Sequence, residues 1–479
     1  MTANLPRRAN RSWWMEEALA YDPGEPRPSL AGDISADVVI LGGGYTGMWT
    51  AYFLKERDPG IDVVLLERDV CGGGPSGRNG GFVNGWWDEL PVLAQRHGED
   101  AALAMCRMAE RSIDEIGAWC EAHDVDAWYS RGGDLGVATS LSQDGAWREE
   151  EEAARKVGAG DVYVELSPGE VADRCRSPLF RGGVFMPGAA HVQPARLARG
   201  LRRVLLERGV RIFEETPVLR FRGGSRAETQ AGSRAEAETP GGQVTAGSAI
   251  VGLGAYAARL RRFRRAILPR GSYIVITAPA PEKLDEIGWT GGEGLYDFRS
   301  SLHYLRTTPD GRIAFGGASS RVGLGTGLGP RLDFDQASAA RLVRDLHRWF
   351  PEFRDVPVEC AWGGPIDVTG LHVPFFGTLP PGNVHFGLGF TGGGVGPCHL
   401  AGRILSGLAL AAEDEYTRLP LVGAEPKPFP PEPLRSPGAF LTHRAIVRKD
   451  DAEDEGRRAN PLVDLVARLP RHLGYNLGP

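Results

Sequence analysis

The sequence predicts an α/β fold joined to an α+β one: a mainly parallel sheet, interleaved along the chain with a second, antiparallel sheet. Three observations carry this. The apolar run Val38-Val39-Ile40-Leu41 ends in glycines at 42, 44 and 47. A strand-then-glycine pattern of the same kind, at 383–396, returns about 350 residues later. Between them, short β-branched runs separated by turn residues fill 267–330, a sheet signal of a different type.

Residues 38–41 read as a strand buried on both faces, as expected where helices cover a parallel sheet. The run enters Gly42-Gly43-Gly44-Tyr45-Thr46-Gly47, the G-x-G-x-x-G spacing that turns a strand tightly into a helix. Gly42 takes the turn, Gly44 leaves backbone open to a pyrophosphate, and Gly47 lets the helix lie close on the sheet. Tyr45 and Thr46 fall at the helix N-terminus, where unpaired N–H groups favour phosphate. Residues 48–57 form the expected helix, Pro59-Gly60 the break and 61–66 a second strand. That strand ends at Glu67, 25 residues after Gly42. A carboxylate there grips an unphosphorylated ribose, which favours FAD or NAD over NADP. The glycine spacing alone also fits an α/β turn with no ligand; the strand, helix, second strand and acid together select the dinucleotide.

At 479 residues the chain calls for two or three domains. Apolar content of 42% and charged content of 24% are those of an ordinary globular protein. A net charge of −6 argues against a nucleic-acid binder. Six scattered cysteines without a C-x-x-C pattern read as reduced thiols, which places the protein in the cytoplasm. The first residues lack the apolar run of a secretory signal, and no window reaches the length of a membrane span.

Residues 1–33 read as an irregular arm whose Trp13-Trp14-Met15 packs back on the body. After the first unit, residues 71–81 hold six glycines in eleven positions. Ordering them is costly, so the segment reads as a nest of N–H groups, with Ser76, Arg78 and Asn79 adding donors; a surface loop is the alternative. Helical spacing follows over 88–123, 144–157 and 167–175, with strand character at 129–139. Residues 182–188, a helix at 195–207 and a strand at 210–213 form a second crossover. His191 reads as structural or orienting. Residues 223–242 contain Gly-Ser-Arg-Ala-Glu twice and read as a solvent-facing hairpin or loop. Residues 244–246 and 249–255 read as a strand pair. Residues 259–265 hold five arginines in seven positions, which fits a solvated face as well as an anion site. An amphipathic helix at 333–350 and a strand at 356–362 complete a substrate sheet over 267–375. Residues 383–390 form a strand, 391–396 a second glycine nest and 398–413 a helix. A proline-rich tail then reads as a peripheral arm.

These stretches resemble the glutathione-reductase-type flavoproteins, and within them the D-amino-acid oxidase, sarcosine oxidase and glycine oxidase family. The closest branch is similar to gamma-glutamylputrescine oxidase and the aminophosphonate oxidoreductases. Residues 36–47 match the ADP-binding opening and Glu67 the ribose acid. Ser76-Gly77-Arg78-Asn79-Gly80-Gly81 matches the loop along the pyrophosphate and flavin. Residues 362–367 and 389–396 match the segments bordering the isoalloxazine.

The resemblance implies a Rossmann-like FAD domain (34–90, 180–265 and 376–415), a substrate domain (91–179 and 266–375), an N-terminal arm over 1–33 and a C-terminal arm over 416–479. The implied cofactor is FAD, bound by Gly42, Gly44, Tyr45, Thr46, Gly47, Glu67, Arg68, Ser76, Arg78, Asn79, Gly80, Gly81, Val218, Gly254, Gly392, Gly393, Gly394, Val395 and Gly396. The implied activity is oxidation of an amine or amino acid by hydride transfer to flavin N5, with hydrolysis of the imine and oxygen as acceptor. Tyr273, Tyr304, Arg306 and Trp362 are the candidates for the substrate face, Arg306 as a carboxylate or phosphonate clamp; core packing or a surface ion pair is the alternative for each. Cys360 stands where sarcosine oxidases carry FAD covalently, although non-covalent FAD is the expectation. A dehydrogenase, a 2-hydroxy-acid oxidase using His191, His303, His372 or His385 as base, an amine N-hydroxylase or a flavin-bound subunit of a larger complex are the rival readings.

Overall fold

The computed structural model describes residues 11–224, 234–317, 323 and 327–476. Strand Ile34–Leu41 lies inside an eight-stranded sheet, parallel to Val63–Leu66 on one side and Gly242–Val251 on the other. Arg211–Phe213 and Val384–Leu388 add parallel strands further out. Phe375–Leu379 extends one edge, and Ala235–Thr239 with Arg220–Arg222 forms an antiparallel extension from Gly242–Val251. Both faces of the central strand are buried, as the unbroken apolar run requires. Val38 and Ile40 enter a core with the helices, while Val39 and Leu41 enter a second core with Phe263, Ile267 and Phe386.

On the first face, helix Tyr45–Arg57 packs against helix Val395–Ala409. A Cβ on Gly402 would stand 2.7 Å from the Trp49 backbone carbon, so only glycine allows this approach. The contact brings the two helix starts together, with Thr46 Oγ1 3.2 Å from Cys398 Sγ.

The second sheet also has eight strands. Their order is Val358–Val368, Leu268–Thr277, Ile313–Gly317, His303–Thr307, Gly294–Asp297, Asp134–Val137, Gly183–Met186 and Val164–Leu166. All neighbours are antiparallel except Gly294–Asp297 with Asp134–Val137. Helix Gln336–Trp349 covers one face through Leu342, Leu346 and Trp349.

Several expectations change. The N-terminal arm contains helix Trp13–Tyr21, capped by Ser12, whose Oγ accepts from Met15 N at 3.0 Å. Its Trp14 is fully buried and packs edge-on to Trp362. The pair expected at 244–255 is a single strand, Gly242–Val251, whose antiparallel partner is Ala235–Thr239. Residues 225–233 of the duplicated segment lie outside the described residues. Gly183–Met186, within the segment expected for the nucleotide domain, belongs to the second sheet.

The last helix of the parallel domain starts at Val395, because Pro397 is tolerated in a first turn. In the tail, helix Arg435–Asp454 absorbs much of the charged run. It is tied to the second sheet by buried Arg299, which donates to Asp454 at 2.6 Å and Asp451 at 3.2 Å. No helix among the described residues is long and apolar enough to cross a membrane.

Candidate active site

A cavity of about 1740 Å³ opens between the two sheets and collects the glycine turns from both ends of the chain. Gly42, Gly44, Tyr45 and Thr46 line it from the first turn, and Gly392, Gly393, Gly394 and Val395 from the second. Gly42 adopts φ +108°, the left-handed region that favours glycine. Both helices start at a glycine, Gly44 and Gly394, which has no side chain with which to cap its own helix. Two helix N-termini, each carrying positive dipole, therefore face one cavity.

Glu67 also lines the cavity. Its carboxylate accepts from Gly43 N at 2.8 Å and Asp69 N at 3.0 Å. Burial raises its pKa, against the opposing pull of those N–H groups. Arg68, Val218 and Gly254 line the same end, with Arg68 donating to Tyr256 Oη at 2.6 Å. Gly47, Gly81 and Gly396 are set back and serve close packing. A Cβ on them would come within 2.1 Å of Gly42 O, 2.1 Å of Val192 O and 2.5 Å of Asn84 O.

The polar residues of the 72–81 loop line the cavity and are also bonded into the surrounding backbone. Ser76 Oγ accepts from Tyr45 N at 2.9 Å. Asn79 Nδ2 donates to Pro75 O at 3.1 Å and Ser76 O at 2.9 Å, while its Oδ1 accepts from Gly81 N at 2.7 Å. Arg78 donates to Gly73 O at 2.8 Å and Gly363 O at 3.1 Å, tying the loop to the second sheet. Gly80 faces the cavity beside Tyr304.

Of the four substrate-face candidates only Tyr304 reaches the cavity. Its hydroxyl lies 2.8 Å from Ser272 Oγ, and burial pushes its pKa up to about 12, so it remains protonated. Tyr273 is buried in the core behind the sheet and donates to Arg331 O at 2.7 Å. Trp362 is buried against Trp14 and donates to Arg78 O at 2.9 Å. Arg306 is buried over Trp14 and donates to Val192 O, so it braces the backbone rather than the cavity. Cys360 sits in the same buried cluster as Trp13 and Trp14 and does not line the cavity, which removes the geometric basis for a covalent flavin through it.

Of the histidines proposed as bases, only His372 lines the cavity. Its Nδ1 is 2.6 Å from Glu89 Oε1; burial disfavours its charge, but Glu89 outweighs that and raises its pKa. His191 bonds Asp134 at 2.8 Å, His303 is held between Asp297 and Asp345, and His385 bonds Thr378 at 2.8 Å. The Nδ1 of His372 is committed to Glu89, which weakens the hydroxy-acid reading.

Sequence reasoning missed Arg270 and Asp367. Arg270 is in the cavity wall on strand Leu268–Thr277, and burial lowers its pKa to about 10. Asp367 accepts from Gly389 N at 2.6 Å and so ties residues 362–367 to the second nest; burial raises its pKa to about 6. Asp367 lay inside a recognised segment, whereas nothing local marks Arg270.

Two helix starts at glycine, open glycine backbone and a strand-end carboxylate around one cavity define a dinucleotide-binding protein. Residues 37–408 match the model of the FAD dependent oxidoreductase family (DAO), and the chain belongs to that family. The chain is 29% identical to gamma-glutamylputrescine oxidoreductase of Escherichia coli over 401 residues, covering 83% of this chain and 88% of the relative. It is 26% identical to glycine oxidase of Pseudomonas aeruginosa over 358 residues, covering 72% and 87%. The crystal structure of glycine oxidase from Geobacillus kaustophilus superposes with a TM-score of 0.66 at 19% identity, covering 82% of this chain and 99% of that one. The cofactor is accordingly FAD, and the protein is a flavoenzyme. Its residues fit that group: the first nest suits the pyrophosphate, Glu67 the ribose and the Val395 helix start the electron-rich edge of the flavin.

Proposed function

We propose that the enzyme oxidises the carbon–nitrogen bond of a small amine or amino acid, yielding an imine that water hydrolyses to an aldehyde or keto product, with oxygen as the acceptor and peroxide as the by-product. The observation that carries the reading is that the FAD-fitting cavity continues to a wall of the second sheet bearing Arg270, Ser272 and Tyr304. A small molecule placed there lies between that sheet and the cofactor. The printed names of the relatives, glycine oxidase and sarcosine oxidase among them, point to amine and amino-acid substrates.

FAD, when bound, would supply two-electron, hydride-accepting chemistry. The chain's own part is to bind and orient. Gly42, Gly44 and Glu67 hold the nucleotide end, with Arg68, Val218 and Gly254 beside it. Gly392 to Val395 present backbone N–H groups where negative charge develops. Arg270 takes the role expected of Arg306, gripping a carboxylate bidentately. Tyr304, protonated and aligned by Ser272, donates to the substrate. The domain division proposed is the one expected from the sequence, except that Gly183–Met186, a strand of the second sheet, goes to the substrate side. Six buried cysteines, none in a disulfide, support a reducing, cytoplasmic setting.

The test is anaerobic mixing with a panel of primary amines, secondary amines and amino acids while following flavin absorbance. Bleaching by an amine, followed by recovery and peroxide on adding air, supports the reading. Recovery only with an artificial dye makes the enzyme a dehydrogenase. Bleaching by 2-hydroxy acids and by no amine overturns it.

A further inference from the structure

One wall of the cavity has no part in the reading above. It is built from segments distant in sequence: Asp88 after the glycine loop, Trp147 and Glu150 at the start of helix Arg148–Lys156, Tyr163, and Tyr296 with Phe298 from the second sheet. Three of these rings form a connected aromatic surface. The Trp147 and Phe298 centroids are 5.4 Å apart, as are those of Tyr296 and Phe298. Tyr163 donates to Asp88 Oδ1 at 2.9 Å.

One buried acceptor in this wall, Glu150 Oε2, has no partner among the described residues. A buried carboxylate oxygen without a partner is costly, so the site as it stands is incomplete. Burial raises the pKa of Glu150 to about 7 and that of Asp88 to about 6, leaving both carboxyl groups ready to ionise beside a cation. The nearby His372 is already taken by Glu89. Aromatic faces beside carboxylates are the surroundings an ammonium group prefers.

Building on the amine-oxidising reading, we propose that this wall is a subsite for a second, non-reacting ammonium group of the substrate. Asp88 and Glu150 supply the charge, and Tyr296, Phe298 and Trp147 the rings. The substrate class is then a diamine, or an amine carrying a distal cation. One end is oxidised at the cofactor while the other is held here.

The experiment compares linear α,ω-diamines with n-alkylamines of equal chain length, reading anaerobic flavin bleaching by the FAD-loaded, full-length enzyme. The expected result is half-saturation by the best diamine at a concentration at least tenfold below that of its monoamine counterpart. Glu150→Gln and Asp88→Asn should each cut that preference at least threefold, whereas Glu99→Gln, on an exposed surface, should keep it. Equal half-saturation by diamines and monoamines in the wild-type enzyme overturns the subsite and leaves the amine-oxidising reading intact. A preference retained in full by both variants, at wild-type FAD content, overturns it as well. If no amine of either kind bleaches the flavin, the broader reading falls and takes the subsite with it.

Discussion

Gly44 offers the sharpest test of how the chain holds its cofactor. A Cβ at this position would meet only Ser76 Oγ, at 3.0 Å, so the free protein can accommodate a side chain with a small shift. The same atom would occupy cavity space meant for the pyrophosphate. Gly44→Asp adds a charge there. Two like charges ~4 Å apart in an effective dielectric of ~20 repel by about 4 kcal/mol. That is about three decades in dissociation constant. Gly44→Ala lacks the charge and should weaken FAD binding less. Gly47→Ala is the contrast, because its Cβ would come within 2.1 Å of Gly42 O and disrupt the turn itself. The assay is the ratio of flavin to protein absorbance after gel filtration, with FAD titration by fluorescence and a melting curve of each apo-protein. The expected pattern is near-wild-type apo stability with lost FAD for Gly44→Asp, and lost stability for Gly47→Ala. Wild-type FAD retention by Gly44→Asp would refute the placement of the phosphates.

Three further outcomes are expected. His303, held by Asp297 and Asp345, has its pKa raised to about 9; burial opposes the charge and the two carboxylates outweigh it. Because the folded value lies above the unfolded one, the stabilisation is complete below about pH 6.5 and is lost as pH rises through about 9, a change of about 3 kcal/mol. Urea midpoints measured across that window should fall, and His303→Gln should flatten the fall. Arg306→Met should lower the melting temperature, through loss of the bond to Val192 O worth about 1–3 kcal/mol, while the amine concentration giving half-bleaching moves less than twofold; a tenfold rise would restore Arg306 to the substrate site. Acid precipitation should release FAD into the supernatant, because Cys360 is buried away from the cavity; colour retained in the pellet would contradict this.

What could be read from the sequence follows a physical line. The 38–47 turn and Glu67 were legible because strand, turn, helix and acid are set by contacts within about 30 residues of chain. The second nest was legible for the same reason. The substrate face was not. On strand His303–Thr307, Tyr304 and Arg306 point the same way, since side chains alternate along a strand. Yet only Tyr304 meets the cavity, because Trp14 and Val192 cover the position of Arg306. Trp362 is covered by Trp14 in the same way, while Gly364 and Ile366 on its strand line the cavity. The cover comes from the helix that composition had presented as an irregular arm. Tyr273 failed by parity, as its neighbours Ser272 and Arg270 line the cavity and it faces the opposite core. The acidic and aromatic wall around Glu150 draws on segments that no local pattern links.

The way the polypeptide weaves between its two sheets has a consequence for biosynthesis. Strands of the parallel sheet come from residues 34–41, 63–66, 211–213, 242–251 and 384–388, with most of the other sheet spelled out in between. On the ribosome the first glycine turn emerges early, yet its counterpart at Gly392–Gly394 waits for nearly 350 further residues to be translated. FAD can therefore be fully enclosed only late in synthesis, and a nascent chain stalled before that point should bind it weakly and be open to proteolysis.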